Sequence, residues 1–264
     1  MRRKHFCLII LCLIITLSAC LPAKKISTTR IPLQLGETQV DLVLHESPAE
    51  GLTYLNLHDN ENTSVRAALG IIKQHGGQVF ELKHSGTRNI SFILDGTEYV
   101  FDPNRMFSDD GANASLDRFG PVSDSAISAV RSFAESVLDQ VQVNELDILV
   151  TLHNNDGSGG YSVLSFSPGE KYSNDASQTN INDELDPDDF YYVTDSVIFN
   201  DLMNADQNVV LQDNDYVTED GSLSVWSAQE QLPYVNVEVQ DGHRRIQMNM
   251  ILLLHNLYFL NQNH

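Results

Sequence analysis

Residues 146–153 read Leu-Asp-Ile-Leu-Val-Thr-Leu-His, a nearly continuous apolar run interrupted by Asp147. A short run of this kind predicts a strand that is buried on both faces, as in the centre of an α/β sheet. The strand would end at His153 and present an imidazole at its carboxyl end. Open α/β sheets bind their ligands at that edge. The run therefore predicts a central strand and the location of a site.

Strand and helix patterns alternate on both sides of this run. Apolar residues at helical spacing between capping residues and glycines predict three helices, at 63–76, 123–141 and 243–259. Alternating or continuous apolar segments predict strands at 40–44, 53–57, 78–82, 90–94, 98–101, 146–152, 161–166, 209–212, 222–225 and 234–239. This order predicts one α/β domain over residues 33–264, with a mixed, mostly parallel central sheet flanked by helices. Residues 108–120 and 173–189 are polar and predict surface loops.

The first residues of the chain have the order of an export signal. Basic residues precede an apolar run of about a dozen residues, which is shorter than a membrane-spanning helix, and Ser18 and Ala19 then lead to Cys20. Leu17-Ser18-Ala19-Cys20 resembles the bacterial lipobox, which implies removal of residues 1–19 and lipidation of Cys20. An ordinary signal peptide cut near Ala23 is the alternative. We expect residues 20–32 to be a tether with little order.

These features predict an exported lipoprotein that faces the periplasm, on the outer membrane if the organism is Gram-negative. The chain has 36 Asp and Glu against 16 Lys and Arg, a formal net charge of −20. Such a charge repels nucleic-acid phosphates and anionic lipid, so we expect no nucleic-acid partner and membrane attachment through acyl chains alone.

Two histidines and a glutamate follow predicted strands. His58 comes directly after the strand at 53–57, Glu61 lies three residues later at a predicted helix start, and His153 ends the central strand. Two imidazoles and one carboxylate form the ligand set of a catalytic zinc site that keeps a fourth position open. Each residue taken alone is a weak signal, and His153 could instead be a histidine that caps the strand end.

Two further segments carry groups that could act on a substrate. Asn104 and Arg105 follow the strand at 98–101 and offer an amide beside a planar guanidinium, which suits a carboxylate. Glu238 lies within the alternating strand at 234–239. A carboxylate there would be costly to bury unless it faces a cleft, where it could serve as a general base.

The order of these four elements resembles that of zinc carboxypeptidases of the carboxypeptidase A type, over residues 58–238. The resemblance implies one zinc ion per chain on His58, Glu61 and His153, a carboxylate clamp from Asn104 and Arg105, and Glu238 as general base. It also implies that Arg88 polarises the scissile carbonyl, although Arg88 could be a surface residue. The expected substrate is a peptide or an N-acyl amino acid with a free carboxylate, and the expected activity is hydrolysis of the adjacent amide.

The sequence departs from this family at several points. Asn154 follows the third ligand where serine is common, and the substrate-capping tyrosine is not identified, with Tyr191, Tyr192 and Tyr216 as candidates. Two alternatives stay open: an N-acyl amino acid deacylase of the aspartoacylase or succinylglutamate desuccinylase type, and an inactive peptide-binding envelope lipoprotein. His243 follows Glu238 at a predicted helix start, and we interpret it as a capping or surface residue.

Overall fold

The computed structural model of the protein describes residues 25–156 and 160–261. Within these ranges a nine-stranded sheet has helices on both faces, and a separate two-stranded hairpin packs beside it. The strands are β1 (Ser27–Leu35), β2 (Thr38–Glu46), β3 (Thr53–Asn56), β4 (Gln78–Lys83), β5 (Ile90–Leu94), β6 (Thr97–Phe101), β7 (Leu149–Asn155), β8 (Ala176–Asn180), β9 (Phe190–Val193), β10 (Val209–Gln212) and β11 (Tyr234–Gln240). The helices are α1 (Asn62–His75), α2 (Asp109–Phe119), α3 (Asp124–Val141), α4 (Ser196–Asn204), α5 (Leu223–Gln229) and α6 (Arg244–Asn261).

The sheet is mixed, with its parallel strands in the centre. The strand order is β1-β2-β4-β3-β7-β11-β9-β10-β8, and β4, β3, β7 and β11 are parallel neighbours. Antiparallel pairs join β1 to β2, β2 to β4, β11 to β9 and β10 to β8, while β9 and β10 are parallel. The single α/β domain and the buried central strand expected from residues 146–152 are both confirmed.

Side-chain alternation along the central strands assigns residues to two cores. Val150 and Leu152 of β7 pack with α1, α4 and α6 on one face of the sheet. Leu149 of β7 packs with α2, α3 and the hairpin on the other face, as does Tyr234 of β11. Because strand side chains alternate with a period of two, His153 and Glu238 share this second face.

Five expectations from the sequence are wrong at the level of local structure. The expected tether overlaps β1, which begins at Ser27 and pairs along its whole length with β2. Residues 108–120 form α2, because Ser108 caps the helix and Ala112 and Leu116 bury one face of it. Residues 161–166 form a 3-10 helix over Val163–Phe166, residues 222–225 begin α5, and the loop expected at 173–189 contains β8.

The expected signal and Cys20 lie outside the described residues. None of the helices within 25–156 and 160–261 has both the length and the apolar character needed to cross a membrane.

The close approach of two glycines joins α2 to the segment that precedes α5. A Cβ atom added at Gly111 would lie 2.3 Å from Cα of Gly221, and Gly221 has a φ of +72°. The carbonyl of Gly221 accepts a hydrogen bond from the amide of Phe107 at 3.1 Å. This contact therefore fixes the chain that directly follows Asn104 and Arg105, two of the expected site residues.

We expect Gly111→Ala to destabilise the protein by about 1–3 kcal/mol, because the added methyl group meets backbone that cannot rotate away. Gly120→Ala is the matched control, since a Cβ atom there meets nothing within 4 Å. The control should change the free energy of unfolding by less than about 0.5 kcal/mol. Urea unfolding curves compared at equal slope measure both effects, and equal midpoints for the two variants would contradict the packing argument.

Candidate metal centre

Three side chains from two neighbouring strand ends converge on one point. Nδ1 of His58 lies 2.9 Å from Oε1 of Glu61, and Nδ1 of His153 lies 3.1 Å from Oε2 of the same carboxylate. The two Nδ1 atoms are 3.1 Å apart, and all three residues are buried. The structure therefore brings together the three ligands that were expected from the sequence.

These donors fit a divalent cation by their chemistry. Two imidazole nitrogens and a carboxylate are the donors that zinc takes in catalytic sites, and all the donor atoms lie within 4.8 Å of one another. Burial alone would lower the pKa of His58, but the charge of Glu61 and the hydrogen bonds that the ring makes to Asp102 and Glu61 raise it to about 9. The nearby histidines hold the pKa of Glu61 well below its usual range despite burial. The centre is therefore a site of negative charge that attracts a proton or a cation.

Asp102 orients the first ligand, a role that the sequence analysis did not assign to it. Its Oδ1 lies 2.8 Å from Nε2 of His58, and its Oδ2 lies 3.4 Å from Arg88. A carboxylate on the outer nitrogen of a ligating histidine fixes the ring and makes it a stronger ligand. Asp102 precedes Asn104 and Arg105, so its place after a strand was the signal that could have identified it.

Asn154 explains the departure from the family at the residue after the third ligand. Its backbone amide donates to Oε2 of Glu61 at 3.1 Å, and its side-chain oxygen accepts from the amide of Ser64 at 2.9 Å. Its side-chain nitrogen donates to the carbonyl of Val239 and to Gln247. One asparagine thus joins the start of α1 to β7, β11 and α6, and it fixes the carboxylate of Glu61 in place.

A loop that is anchored by Asp59 brings Arg88 to the centre. Oδ2 of Asp59 accepts the backbone amides of His84 and Gly86 at 2.8 and 2.7 Å, and Oδ1 pairs with Lys83. Nη1 of Arg88 then lies 2.7 Å from Oε1 of Glu61, with half of its side chain exposed. Arg88 is therefore at the site rather than elsewhere on the surface.

The centre lies at the floor of a cleft of about 520 Å³. Asn104, Arg105 and Glu238 line the same cleft, so the structure brings every site residue expected within the described chain to one place. Oδ1 of Asn104 accepts the amide of Leu223 at 3.1 Å, and Arg105 pairs with Asp220 at 3.3 Å.

Glu238 is a buried carboxyl group that faces this cleft. It lies beside His153 in the parallel pairing of β7 and β11, and its Oε2 accepts a hydrogen bond from Asn236 at 3.1 Å. Burial, followed by the charge of Glu61, raises the pKa of Glu238 to about 8. A carboxyl group with such a pKa can exchange a proton near neutral pH.

Aromatic side chains form one wall of the cleft. Of the three tyrosines considered from the sequence, Tyr192 is in this wall, whereas Tyr191 lies on the opposite face and donates to the carbonyl of Met250. Tyr216 is 79% exposed and is not a lining residue. Tyr161 and Tyr172 also line the cleft and were not expected from the sequence. Tyr161 was assigned to a strand, and Tyr172 lies just before the predicted loop at 173–189.

Comparison with known proteins gives structural similarity without sequence similarity. No family model matches the chain, and no curated protein matches it. Murein-tripeptide amidase MpaA from Escherichia coli O157 matches with a TM-score of 0.46 and 14% identity, covering 89% of this chain and 93% of its own. An aspartoacylase family protein from Mesorhizobium loti matches with a TM-score of 0.41 and 12% identity, covering 89% of this chain and 68% of its own. Thrombin activatable fibrinolysis inhibitor matches with a TM-score of 0.44 and 10% identity, covering 88% of this chain and 66% of its own. All three TM-scores lie below 0.5, so the functional conclusion rests on the site's own residues.

We expect Asp102→Ala to weaken zinc binding by about 10- to 100-fold, because His58 loses the carboxylate that orients its ring. Asp102→Asn should have a smaller effect, since an amide oxygen can still accept from Nε2. Asp109→Ala is the matched control, because Asp109 is exposed and its one ion pair within the described residues is with Arg131. Competition with a chromophoric chelator measures the three affinities, and an unchanged affinity in Asp102→Ala would contradict the orienting role.

Proposed function

We propose that the protein is a zinc-dependent hydrolase that cleaves an amide bond next to a free carboxylate. The observation that carries the proposal is the convergence of His58, Glu61 and His153 at the floor of a cleft that Glu238 also faces. When bound, zinc supplies a Lewis acid that polarises a carbonyl and lowers the pKa of water. The residues of the chain account for the remaining requirements of the reaction.

Glu238 has the environment of a general base. The carboxylate would take a proton from the attacking water and then return it to the nitrogen of the leaving amine. Its raised pKa makes both transfers favourable near neutral pH, because proton donation and acceptance are then close in free energy. Its neighbour Asn236 holds one oxygen, which keeps the carboxyl group directed into the cleft.

Two arginines supply positive charge to different parts of the cleft. Arg88 contacts Glu61 and Asp102 at the metal centre and retains further N–H groups that could stabilise the oxyanion as it forms. Arg105 lies with Asn104 in the 3-10 helix after β6, where its guanidinium could hold the substrate carboxylate. Asp220 pairs with Arg105 in the described structure, so a substrate carboxylate would exchange with it.

The same arrangement supports an N-acyl amino acid deacylase as the second candidate. A cleft of about 520 Å³ is within the usual range for small-molecule sites, and it could hold either one N-acyl amino acid or the last residues of a peptide. Both substrates present an amide next to a free carboxylate. Initial rates with an N-acyl amino acid and with a C-terminally free peptide of equal charge would distinguish the two activities.

We further propose that the protein is exported and anchored to the membrane by a lipid on Cys20. The basic, apolar and small-residue segments that precede Cys20 support this localisation. The proposed substrates are then envelope peptides such as peptidoglycan stem peptides. Incorporation of labelled fatty acid into the expressed protein should be lost in Cys20→Ser. Labelling that persists in this variant would exclude Cys20 as the anchor.

We expect Glu238→Gln to bind zinc as the parent does and to lose about 10²- to 10⁴-fold in kcat, the usual contribution of a general base. The substitution preserves size and hydrogen bonding, so the fold should not change. Zinc content is measured by atomic absorption and kcat by amine release. A variant that keeps zinc and full turnover would eliminate Glu238 as the base.

We expect Arg105→Ala to raise KM for a free-acid substrate by about 10- to 100-fold, since a charge-assisted hydrogen bond contributes about 1.5–3 kcal/mol. The matched C-terminally amidated substrate should be a poor substrate for the parent and should be affected little further by the substitution. The readout is the ratio of kcat/KM for the two substrates in each protein. An unchanged ratio would contradict the proposed clamp.

A further inference from the structure

A second group of metal-binding side chains lies outside the catalytic centre. Asp186 and Asp189 precede β9, and His243 lies immediately before α6. One donor atom from each of these residues lies within 4.8 Å of the others, and Nδ1 of His243 is 3.4 Å from Oδ2 of Asp189. Residues far apart in the sequence are therefore brought to one small volume.

Asp188 adds an independent observation. It is 7% exposed, and its Oδ1 is buried without a hydrogen-bond partner in the described parts of the chain. A buried polar atom without a partner costs about 1–3 kcal/mol, so such atoms normally have a ligand. Asp188 lies between Asp186 and Asp189 in the chain, beside the three converging donors rather than among them.

The cluster has more carboxylates than cationic side chains to pair with them. No Lys or Arg among the described residues pairs with Asp186, Asp188 or Asp189, and the ion pair with His243 is the one recorded there. Buried carboxylates are normally paired or bound to a metal. Burial raises the pKa of both Asp188 and Asp189. The charges of the acidic neighbours raise the pKa of Asp188 further.

Hydrogen bonds connect the cluster to neighbouring segments at the carboxyl end of the sheet. Oδ1 of Asp189 accepts the amide of Gln240, and the carbonyl of Asp188 accepts from the side chain of Asn155. The carbonyl of Asn155 accepts the amide of Asp241. Asn155 and Asp156 line the catalytic cleft, so a ligand at the cluster would hold the cleft rim to the turn before α6.

We propose that Asp186, Asp189 and His243 form a second, structural site for a divalent transition metal, with the carboxyl group of Asp188 beside it. Carboxylate oxygens with one imidazole nitrogen favour Zn²⁺ or Mn²⁺ over Ca²⁺, which prefers oxygen ligands alone. The cation would neutralise the carboxylates and cross-link the segments before β9, after β7 and before α6. The inference is independent of the hydrolytic reaction, because none of the four residues belongs to the catalytic centre.

The test uses zinc alone as the probe and counts bound ions in the purified protein after equilibrium dialysis. We expect about two zinc ions per chain in the parent and about one in His58→Ala/His153→Ala. The variant Asp189→Asn/His243→Ala should also bind about one and keep its hydrolytic activity in the presence of zinc. Combining all four substitutions should leave none, which separates loss of the structural site from loss of the catalytic one.

A second measurement covers the case in which the buried substitution disturbs folding. Asp186 is exposed, so Asp186→Asn should fold, weaken the second site by about tenfold or more and reduce the rise in Tm that added zinc produces in the His58→Ala/His153→Ala background. Asp183→Asn, an exposed change in the same segment, is the matched control. One zinc ion in the parent, or equal zinc protection in the Asp186 and Asp183 variants, would overturn the proposal.

Discussion

The buried carboxylate of Glu61 is the group on which the rest of the site depends. It contacts both histidines, the guanidinium of Arg88 and the backbone amide of Asn154. An isolated carboxylate could not remain charged at this depth, because its desolvation would cost several kcal/mol. Each partner offsets part of that cost, so the four partners and the carboxylate hold one another in a single arrangement.

The sheet supplies the geometry that this arrangement needs. Parallel strands end at the same edge, so β3 and β7 deliver His58 and His153 side by side, and β11 delivers Glu238 next to His153. The start of α1 supplies Glu61, and the turn after β6 supplies Asp102. Rigid elements therefore hold the metal-binding donors, which keeps them converged before any ligand is bound.

Charged residues lie in two parts of the cleft. Glu61, Asp102 and Glu238 surround the floor, where Arg88 is the neighbouring cation. Near Arg105 the carboxylate of Asp220 is available as an exchangeable partner, which keeps the guanidinium paired in the free protein. In the proposed mode of binding, a substrate carboxylate would exchange with Asp220 at Arg105 while the amide lies near Glu238.

Local sequence determined the central strands, the long amphipathic helices and the identity of the donor residues. Burial is visible in the sequence where apolar residues form a continuous run, as at 146–152, or recur at helical spacing, as at 123–141. These elements could therefore be assigned without the fold. The order of His58, Glu61, Asn104, Arg105, His153 and Glu238 likewise reflected residue types at strand ends. Helices α2 and α5 and strand β1 could not be assigned in the same way. Their apolar patterns are short or weak, and tertiary contacts stabilise these elements. The place of Asp102 after a strand is visible in the sequence, but its contact with His58 is not. The contacts of Asn154 and the cluster around Asp189 were decided by the tertiary structure alone, because they join segments that are distant in the chain.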